Sequence, residues 1–203
     1  MADVLDPIDT PGQAVIITPG ARDRDVQFER ACEMYPYAKV EMDEAGTIVV
    51  TPGNNEDSAY RSGEAFGQLR EWARRDGTGR AFDATATFNL PSGAKRSPDA
   101  AWVPRETLQK EGKATRTIAK TRHVPTFLIE VTSPSDTLIQ QQEKCRKWVE
   151  SGVSEAILLH PETKTAYVFS AAGMITIPAA TKIRSAVLNG FEIDCEPIWE
   201  ELV

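Results

Sequence analysis

Histidine, cysteine and long apolar runs are all scarce in this sequence. Its 203 residues include two histidines and three cysteines. The cysteines are widely spaced and form no CxxC pair, so neither a zinc site nor a disulfide framework is expected. No run of about 18 apolar residues occurs, so no transmembrane helix is predicted. The chain also lacks GxSxG, GxGxxG and a glycine-rich phosphate loop, so no motif supports serine-hydrolase or nucleotide-binding chemistry.

Positive charge is in deficit as well. Lysine and arginine number 23 against 30 acidic residues, which gives a net charge of −7 at pH 7. Tight nonspecific DNA binding depends on basic residues that neutralise phosphates, so this balance counts against it. Local clusters such as Arg70 to Arg80 remain, with solvated surface charge as the alternative explanation. The acidic start of the chain does not resemble a signal peptide, and with unpaired cysteines it predicts a cytoplasmic protein without membrane association.

Proline and glycine positions and hydrophobic periodicity predict the domain organisation. Residues 1–22 are expected to form a flexible N-terminal arm, and residues 23–203 a single domain, because a chain of this length fills one core. The predicted elements are helices at 23–34, 58–75 and 135–151, a hairpin at 40–51, and strands at 82–90, 98–103, 126–132, 155–160, 165–170 and 174–177. Their order predicts an α/β (α+β) fold with a mixed central sheet flanked by helices, an additional N-terminal hairpin and additional C-terminal strands.

The predicted strand at 126–132 carries an acidic residue in an apolar setting. Alternation along a strand places Phe127, Ile129 and Val131 on one face and Glu130 on the other. Burying an unpaired carboxylate is costly, and a metal ion or a lysine would remove that cost. The alternative is a glutamate that reaches solvent at the strand end or pairs with an arginine.

A second carboxylate opens the neighbouring predicted strand. Asp99 follows Pro98, and aspartate disfavours strand interiors, so its presence there needs a reason. A turn or strand-cap role is the alternative, but Asp99 and Glu130 at one end of neighbouring strands are more informative together than either is alone. Two carboxylates and one lysine are the minimum set for metal-dependent phosphodiester hydrolysis.

The cation for such a site is predicted on the helix that follows. At 100° per residue, Gln142 and Cys145 share an inward apolar face. Lys144 lies beside this face and can reach the sheet edge, whereas Lys147 is predicted to point toward water. A lysine that extends to solvent is the alternative for Lys144, and a helix cap or backbone contact is the alternative for Gln142.

Taken in order, these segments resemble the Uma-two family of restriction-endonuclease-like nucleases, within the PD-(D/E)XK superfamily. The resemblance runs from about Phe28 to the C-terminus. It is carried by IVVTP at 48–52, NLPSGAKRSPDAAWV at 89–103, LIEVTSPSD at 128–136 and QEK at 142–144, followed by Trp148 and Gly152-Val153. The combination at matching spacing is specific, although each segment alone is weak.

The resemblance implies a mixed four-stranded core sheet and hydrolysis of DNA by a divalent-metal-dependent endonuclease. It implies that Asp99 and Glu130 hold Mg²⁺ or Mn²⁺, with the carbonyl of Val131 as a further ligand, and that Lys144 is the catalytic cation. In the wider superfamily this lysine lies two residues after the second acid, where this chain has Thr132. Lys144 instead matches the helix-borne lysine of the family. Gln142 and Glu41 are further candidates for supporting roles.

Two other functions remain open at this point. One is a catalytically weak or inactive nuclease-fold protein with a binding or regulatory role, favoured by the acidic balance, by Thr132, and by His160 where the family often has aspartate. The other is a structural protein that forms a homodimer through the apolar segment 191–203. A homodimer is also expected for a nuclease that cuts both strands of DNA.

Overall fold

The computed structural model describes residues 15–18, 23–51, 53, 55–110 and 123–201. The chain divides into two compact units. The described residues of the first unit lie within 15–53 and 87–97, and those of the second within 55–86, 98–110 and 123–201. The single domain predicted over 23–203 stays a prediction. Most of the predicted N-terminal arm, at 1–14 and 19–22, lies outside the described residues.

The bounds of the helices and strands agree with most of the predicted elements. Helices α1 to α5 are, in chain order, Arg24–Met34, Glu56–Asp76, Arg105–Lys110, Leu138–Glu150 and Glu196–Trp199. Strands β1 to β13 are Val15–Ile17, Lys39–Met42, Ile48–Thr51, Gly79–Asp83, Phe88–Asn89, Lys95–Arg96, Ala100–Pro104, Phe127–Val131, Glu155–His160, Thr165–Ser170, Gly173–Ile177, Lys182–Arg184 and Glu192–Asp194. A short 3₁₀ helix, Pro161–Thr163, joins β9 to β10.

The first unit contains an antiparallel sheet with the strand order β1-β3-β2-β6-β5. The predicted hairpin at 40–51 is confirmed as β2 and β3. One helix, α1, packs its buried Phe28 and Ala31 against apolar residues of this hairpin. Strand β1 adds to β3 and was not predicted.

The second unit contains a mixed sheet with the order β11-β10-β9-β8-β7-β4. Neighbouring strands are antiparallel except β8 and β9, which are parallel. A parallel pair needs a long crossover connection, and α4 provides it between β8 and β9. The predicted mixed sheet flanked by helices is therefore confirmed.

Helices α2 and α4 contact this sheet through different sets of side chains. Residues of α2 such as Leu69 share one apolar cluster with Phe127, Ile129 and Ile157 of the sheet. Leu128 and Glu130 alternate with those β8 residues and face the other side, which is the side that carries α4. The predicted alternation along β8 is confirmed, and the acidic residue lies on the α4 side of the sheet.

One predicted strand was wrong. The alternating segment 82–90 is not one strand, because β4 ends at Asp83 and β5 begins at Phe88 in the sheet of the first unit. The side chain of Asp83 explains the break. Its Oδ1 accepts hydrogen bonds from the backbone N–H of Thr85, at 3.1 Å, and from the Thr85 hydroxyl. This local turn replaces the strand ladder.

Most apolar side chains in the described part of the C-terminal segment are buried. Phe191, Ile193, Cys195, Ile198 and Trp199 are all buried in the same cluster as α2. They fill the core of the second unit. Among the described residues, no helix is both long enough and apolar enough to cross a membrane.

Candidate active site

The pairing of β7 with β8 aligns the two predicted carboxylates. Ala100 lies opposite Ile129 in this antiparallel pair. Continuing the register by one residue places Asp99 opposite Glu130, and residues opposite each other share a face of the sheet. Both are buried, with exposed fractions of 7% for Asp99 and 3% for Glu130.

A hydrogen bond ties the first carboxylate to the second strand. The Oδ2 atom of Asp99 accepts from the backbone N–H of Val131 over 2.8 Å. Asp99 lies just before β7, so its side chain continues the contact between the strands beyond the last ladder pair. This contact explains why an aspartate stands at a position that opens a buried strand.

Lys144 of α4 reaches the second carboxylate. Its Nζ lies 2.9 Å from Oε1 of Glu130, and the exposed fractions of the two side chains are 11% and 4%. The lysine is therefore mostly buried rather than extended to solvent. Glu130 pairs with this lysine and does not reach solvent at the strand end. The pairing offsets part of the free-energy cost of burying both charges.

Trp148 provides a second donor to the same oxygen. Its indole N–H donates to Oε1 of Glu130 over 3.0 Å, and its side chain is fully buried. Sequence reasoning placed Trp148 one helical turn after Lys144 but gave it no role. The signal was present, because a buried tryptophan usually needs an acceptor for its N–H, and residues four apart lie on the same side of a helix.

The turn between β8 and α4 sets the start of this helix. Asp136 Oδ2 accepts from the backbone N–H of Ser133 at 2.7 Å and from its hydroxyl at 2.8 Å, while Oδ1 accepts from the Gln141 side chain at 2.9 Å. The N-cap residue is Thr137, whose side chain makes no capping hydrogen bond. The helix predicted at 135–151 therefore begins later, at Leu138, because Asp136 closes the preceding turn instead.

The position two residues after Glu130 holds an uncharged side chain. Thr132 is 8% exposed, and its backbone N–H donates to the carbonyl of Leu159 over 2.9 Å. The positive charge next to Glu130 thus comes from α4 and not from β8. Lys147 is partly buried, so the prediction that it points into water was too strong.

The remaining predicted residues lie in different places. Gln142 is a partly buried residue of α4. Glu41 belongs to β2 of the first unit, where its Oε1 accepts from the backbone N–H of Ser97 over 2.8 Å. The contacts of the site join Asp99 to Val131 and Glu130 to Lys144.

Cys145 lies among these charges without being a nucleophile. Its side chain is fully buried. Burial, and next the negative charge of Glu130, raise the pKa of its thiol far above the usual value. A thiol acts as a nucleophile only when it is deprotonated, so Cys145 stays neutral and unreactive at neutral pH.

The donor set suits a hard divalent cation. Within the described residues, no group of three or more histidine, cysteine, aspartate and glutamate side chains could hold a metal ion. Two carboxylates and a backbone carbonyl nevertheless match the oxygen ligands that Mg²⁺ prefers, and Mg²⁺ usually keeps several waters. Asp99, Glu130 and Val131 therefore fit such an ion with water completing its coordination.

Comparison with known proteins identifies the family. Residues 25–196 match the model of a family described as "Uma2: Putative restriction endonuclease". The chain belongs to this family. The Uma2 match covers all of the candidate site, from Asp99 to Trp148. Restriction-endonuclease-like proteins of this kind generally use divalent metals, in agreement with the oxygen-rich donor set.

A solved structure agrees with the fold. The crystal structure of a "putative nuclease" from Anabaena variabilis superposes with a TM-score of 0.66 at 14% sequence identity, covering 79% of this chain and 89% of that chain. At this identity, the likeness concerns the fold alone. No curated protein matches the chain. The predicted Uma2 resemblance and the restriction-endonuclease-like fold are both confirmed.

Proposed function

We propose that this protein is a divalent-metal-dependent endonuclease that hydrolyses phosphodiester bonds in DNA. The observation that carries the proposal is the buried pairing of Glu130 with Lys144, at 2.9 Å, on the sheet face that also carries Asp99. Membership of a nuclease family supports a nucleic acid as the substrate. We also propose that the nucleic acid is DNA and that the protein acts in the cytoplasm.

The carboxylates have the role of metal ligands in this proposal. Asp99, Glu130 and the carbonyl of Val131 would hold Mg²⁺ or Mn²⁺. When bound, the ion supplies Lewis-acid stabilisation of negative charge on the phosphate. The contact from the Val131 N–H to Asp99 and the contact from Trp148 to Glu130 hold the two carboxylates in place before the metal or the substrate arrives.

Lys144 has the role of the catalytic cation. Hydrolysis forms a bond between the water oxygen and phosphorus, breaks the bond to the leaving sugar oxygen, and delivers one water proton to that oxygen overall. Negative charge on the phosphate oxygens grows during this step. The Lys144 ammonium, held in a site with little exposure, donates to the phosphate or to the attacking water as that charge develops. Gln142 of the same helix is proposed to support the site.

Nicking of supercoiled plasmid with Mg²⁺ or Mn²⁺ tests the proposal. Asp99→Asn and Lys144→Met should each lower the rate by about 100-fold or more, the size of effect seen when one electrostatic group is removed from an active site. Lys147→Met is the matched control, because it removes a lysine from the same helix and should keep the rate of the unmodified protein. Equal nicking by the two site variants and the unmodified protein would overturn the assignment.

A nuclease-fold protein that binds without turnover is the second candidate. It is favoured by the two protein donors on Oε1 of Glu130, which compensate its charge without a metal. Titration calorimetry with Mn²⁺ separates the two functions. Binding in the micromolar to millimolar range supports the nuclease, whereas DNA binding without metal binding at millimolar concentration supports the second candidate.

A further inference from the structure

The hairpin formed by β10 and β11 carries no charge. Residues 165–181 contain no aspartate, glutamate, lysine or arginine, although such residues make up 26% of the chain. Strand β11, Gly173–Ile177, forms one edge of the six-stranded sheet. Within the part of the chain that the structure describes, no other strand pairs with its outer side. The uncharged stretch therefore coincides with an open sheet edge.

Apolar side chains of this edge strand are exposed. Ile175 is 65% exposed and Met174 is 40% exposed. Proteins usually protect sheet edges with charged side chains, with proline or with a bulge. Strand β11 contains no charged residue or proline, and its register with β10 is continuous from Ala166↔Ile177 to Ser170↔Gly173. Pro178 follows directly and ends the segment that can pair.

The opposite edge of the sheet differs. It is formed by β4, which carries the exposed charged residues Arg80 and Asp83. Charges of this kind discourage pairing with another strand. Among the described strands, the sheet therefore has one edge protected by charge and one edge without such protection. Association through the unprotected edge closes after two copies and does not continue into a polymer.

We propose that β11 pairs antiparallel with β11 of a second copy of this chain. A two-fold axis near Ile175 would place the two Ile175 side chains opposite each other and each Met174 opposite Thr176 of the other copy. The strand is complementary to itself in this arrangement, because each outer N–H meets a carbonyl of the same strand in the other copy. The two sheets then become one continuous sheet.

The uncharged edge is where two copies of this acidic chain meet with the least charge repulsion. Each copy has a net charge of −7, so most pairs of surfaces would bring like charges together. Contact through residues 165–181 places no ionised side chain opposite another. The groove beside β11 is lined by Val149, Phe169 and Met174 together with the charged Arg146 and Glu150, so the uncharged surface is confined to the edge strand itself.

The expected dimer is reversible. A pair of five-residue strands with two exposed apolar side chains each is smaller than the roughly 1,200 Å² of total buried surface typical of stable interfaces. Association should therefore depend on protein concentration. Assembly through β11 does not depend on the proposed nuclease activity.

Sedimentation velocity over a range of protein concentrations tests the proposal with two isoleucine variants. Ile175→Lys places two lysines opposite each other across the proposed axis and should weaken dimerisation at least tenfold. Ile139→Lys is the matched control, because Ile139 is also exposed, at 79%, but lies on α4. It should associate as the unmodified protein does. Circular dichroism and thermal unfolding of both variants establish that they are folded.

Amide hydrogen exchange gives the location of the interface. Exchange in residues 173–177 should slow as the protein concentration rises, and this dependence should vanish in Ile175→Lys. The proposal is wrong if the unmodified protein remains monomeric at millimolar concentration or forms polymers, if Ile175→Lys dimerises as well as the unmodified protein, or if Ile139→Lys alone abolishes association.

Discussion

Trp148 donates its indole N–H to Oε1 of Glu130 over 3.0 Å, between two side chains that are almost completely buried. The same oxygen lies 2.9 Å from the ammonium of Lys144. Both donors come from one helix and are separated by one turn. A carboxylate that accepts two such donors is held in a defined orientation, so the geometry of the site depends on the packing of α4 against the sheet.

Removing the indole donor should destabilise the protein. Trp148→Phe keeps an aromatic ring in the core but leaves Glu130 without one hydrogen bond. The free energy of unfolding should fall by about 2 kcal/mol, since a hydrogen bond to a charged group contributes about 1.5–3 kcal/mol. Urea denaturation at pH 7 measures the change. Trp72→Phe is the control, because Trp72 Nε1 donates to the neutral carbonyl of Asn189 at 3.1 Å. Its free energy of unfolding should fall by less than that of Trp148→Phe. A larger loss for Trp72→Phe than for Trp148→Phe would contradict this account.

Removing the lysine should cost more, because it leaves a buried negative charge without its cation. Lys144→Met is expected to lower the free energy of unfolding by about 3 kcal/mol, the size typical of a broken buried pair. The double variant Lys144→Met with Glu130→Gln should recover most of this loss, since the remaining partner is then neutral. A double-mutant cycle by urea denaturation checks the coupling. If the two substitutions have additive effects on the free energy of unfolding, the interaction between Lys144 and Glu130 does not contribute to stability.

Alkaline pH should destabilise the fold through its buried thiols. Burial, followed by the charges of Asp194 and Glu196, raises the pKa of Cys195 from 9.0 to about 12. Above pH 9 the unfolded chain loses this proton while the folded chain keeps it, so stability falls as the pH rises toward 12. Urea midpoints measured between pH 8.5 and 10.5 should decline less steeply for Cys195→Ala than for the unmodified protein. The same slope in both proteins would contradict the assignment.

Adding a methyl group at Gly79 of β4 should disturb its packing against the neighbouring strand β7. A Cβ atom built at Gly79 would lie 2.4 Å from the ring of Trp102 on β7. Gly79→Ala should therefore destabilise by about 1–3 kcal/mol, as overpacking does. Gly63 of α2 is the control, because a Cβ there meets nothing within 4 Å. Gly63→Ala should stabilise by about 0.5–1 kcal/mol, since alanine is the better helix former. Thermal unfolding measures the two changes, and the melting temperature should fall for Gly79→Ala and rise for Gly63→Ala.

Much of the fold and part of the site could be predicted because the determining signals are local. Period-two alternation placed Glu130 on the face opposite Ile129, and the helical period placed Lys144 beside the inward face of α4. The wrong predictions occur where a side chain forms a local hydrogen bond to the backbone, which hydrophobic periodicity does not reveal. Asp83 formed a turn within an alternating segment, and Asp136 closed a turn where the helix was predicted to begin.

Contacts between distant segments were beyond local patterns. Helical spacing places Trp148 on the same side of α4 as Lys144, but its bond to Glu130 also depends on how close α4 lies to β8, which packing determines. Whether the apolar C-terminal segment is buried or exposed also depends on packing, because the sequence pattern of 191–199 is the same in both cases. In the structure, Trp199 and its apolar neighbours are buried in the core of the second unit.

The chain separations within the site have a consequence for how easily it forms. Glu130 and Trp148 are 18 residues apart, whereas Asp99 and Val131 are 32 residues apart. Loop-closure entropy grows only with the logarithm of length, so a separation nearly twice as long adds only about 0.6 kcal/mol. Joining β7 to β8 is thus little more demanding than docking α4. The length of the connection between those strands is weakly constrained, and insertions there should leave the two carboxylates in register.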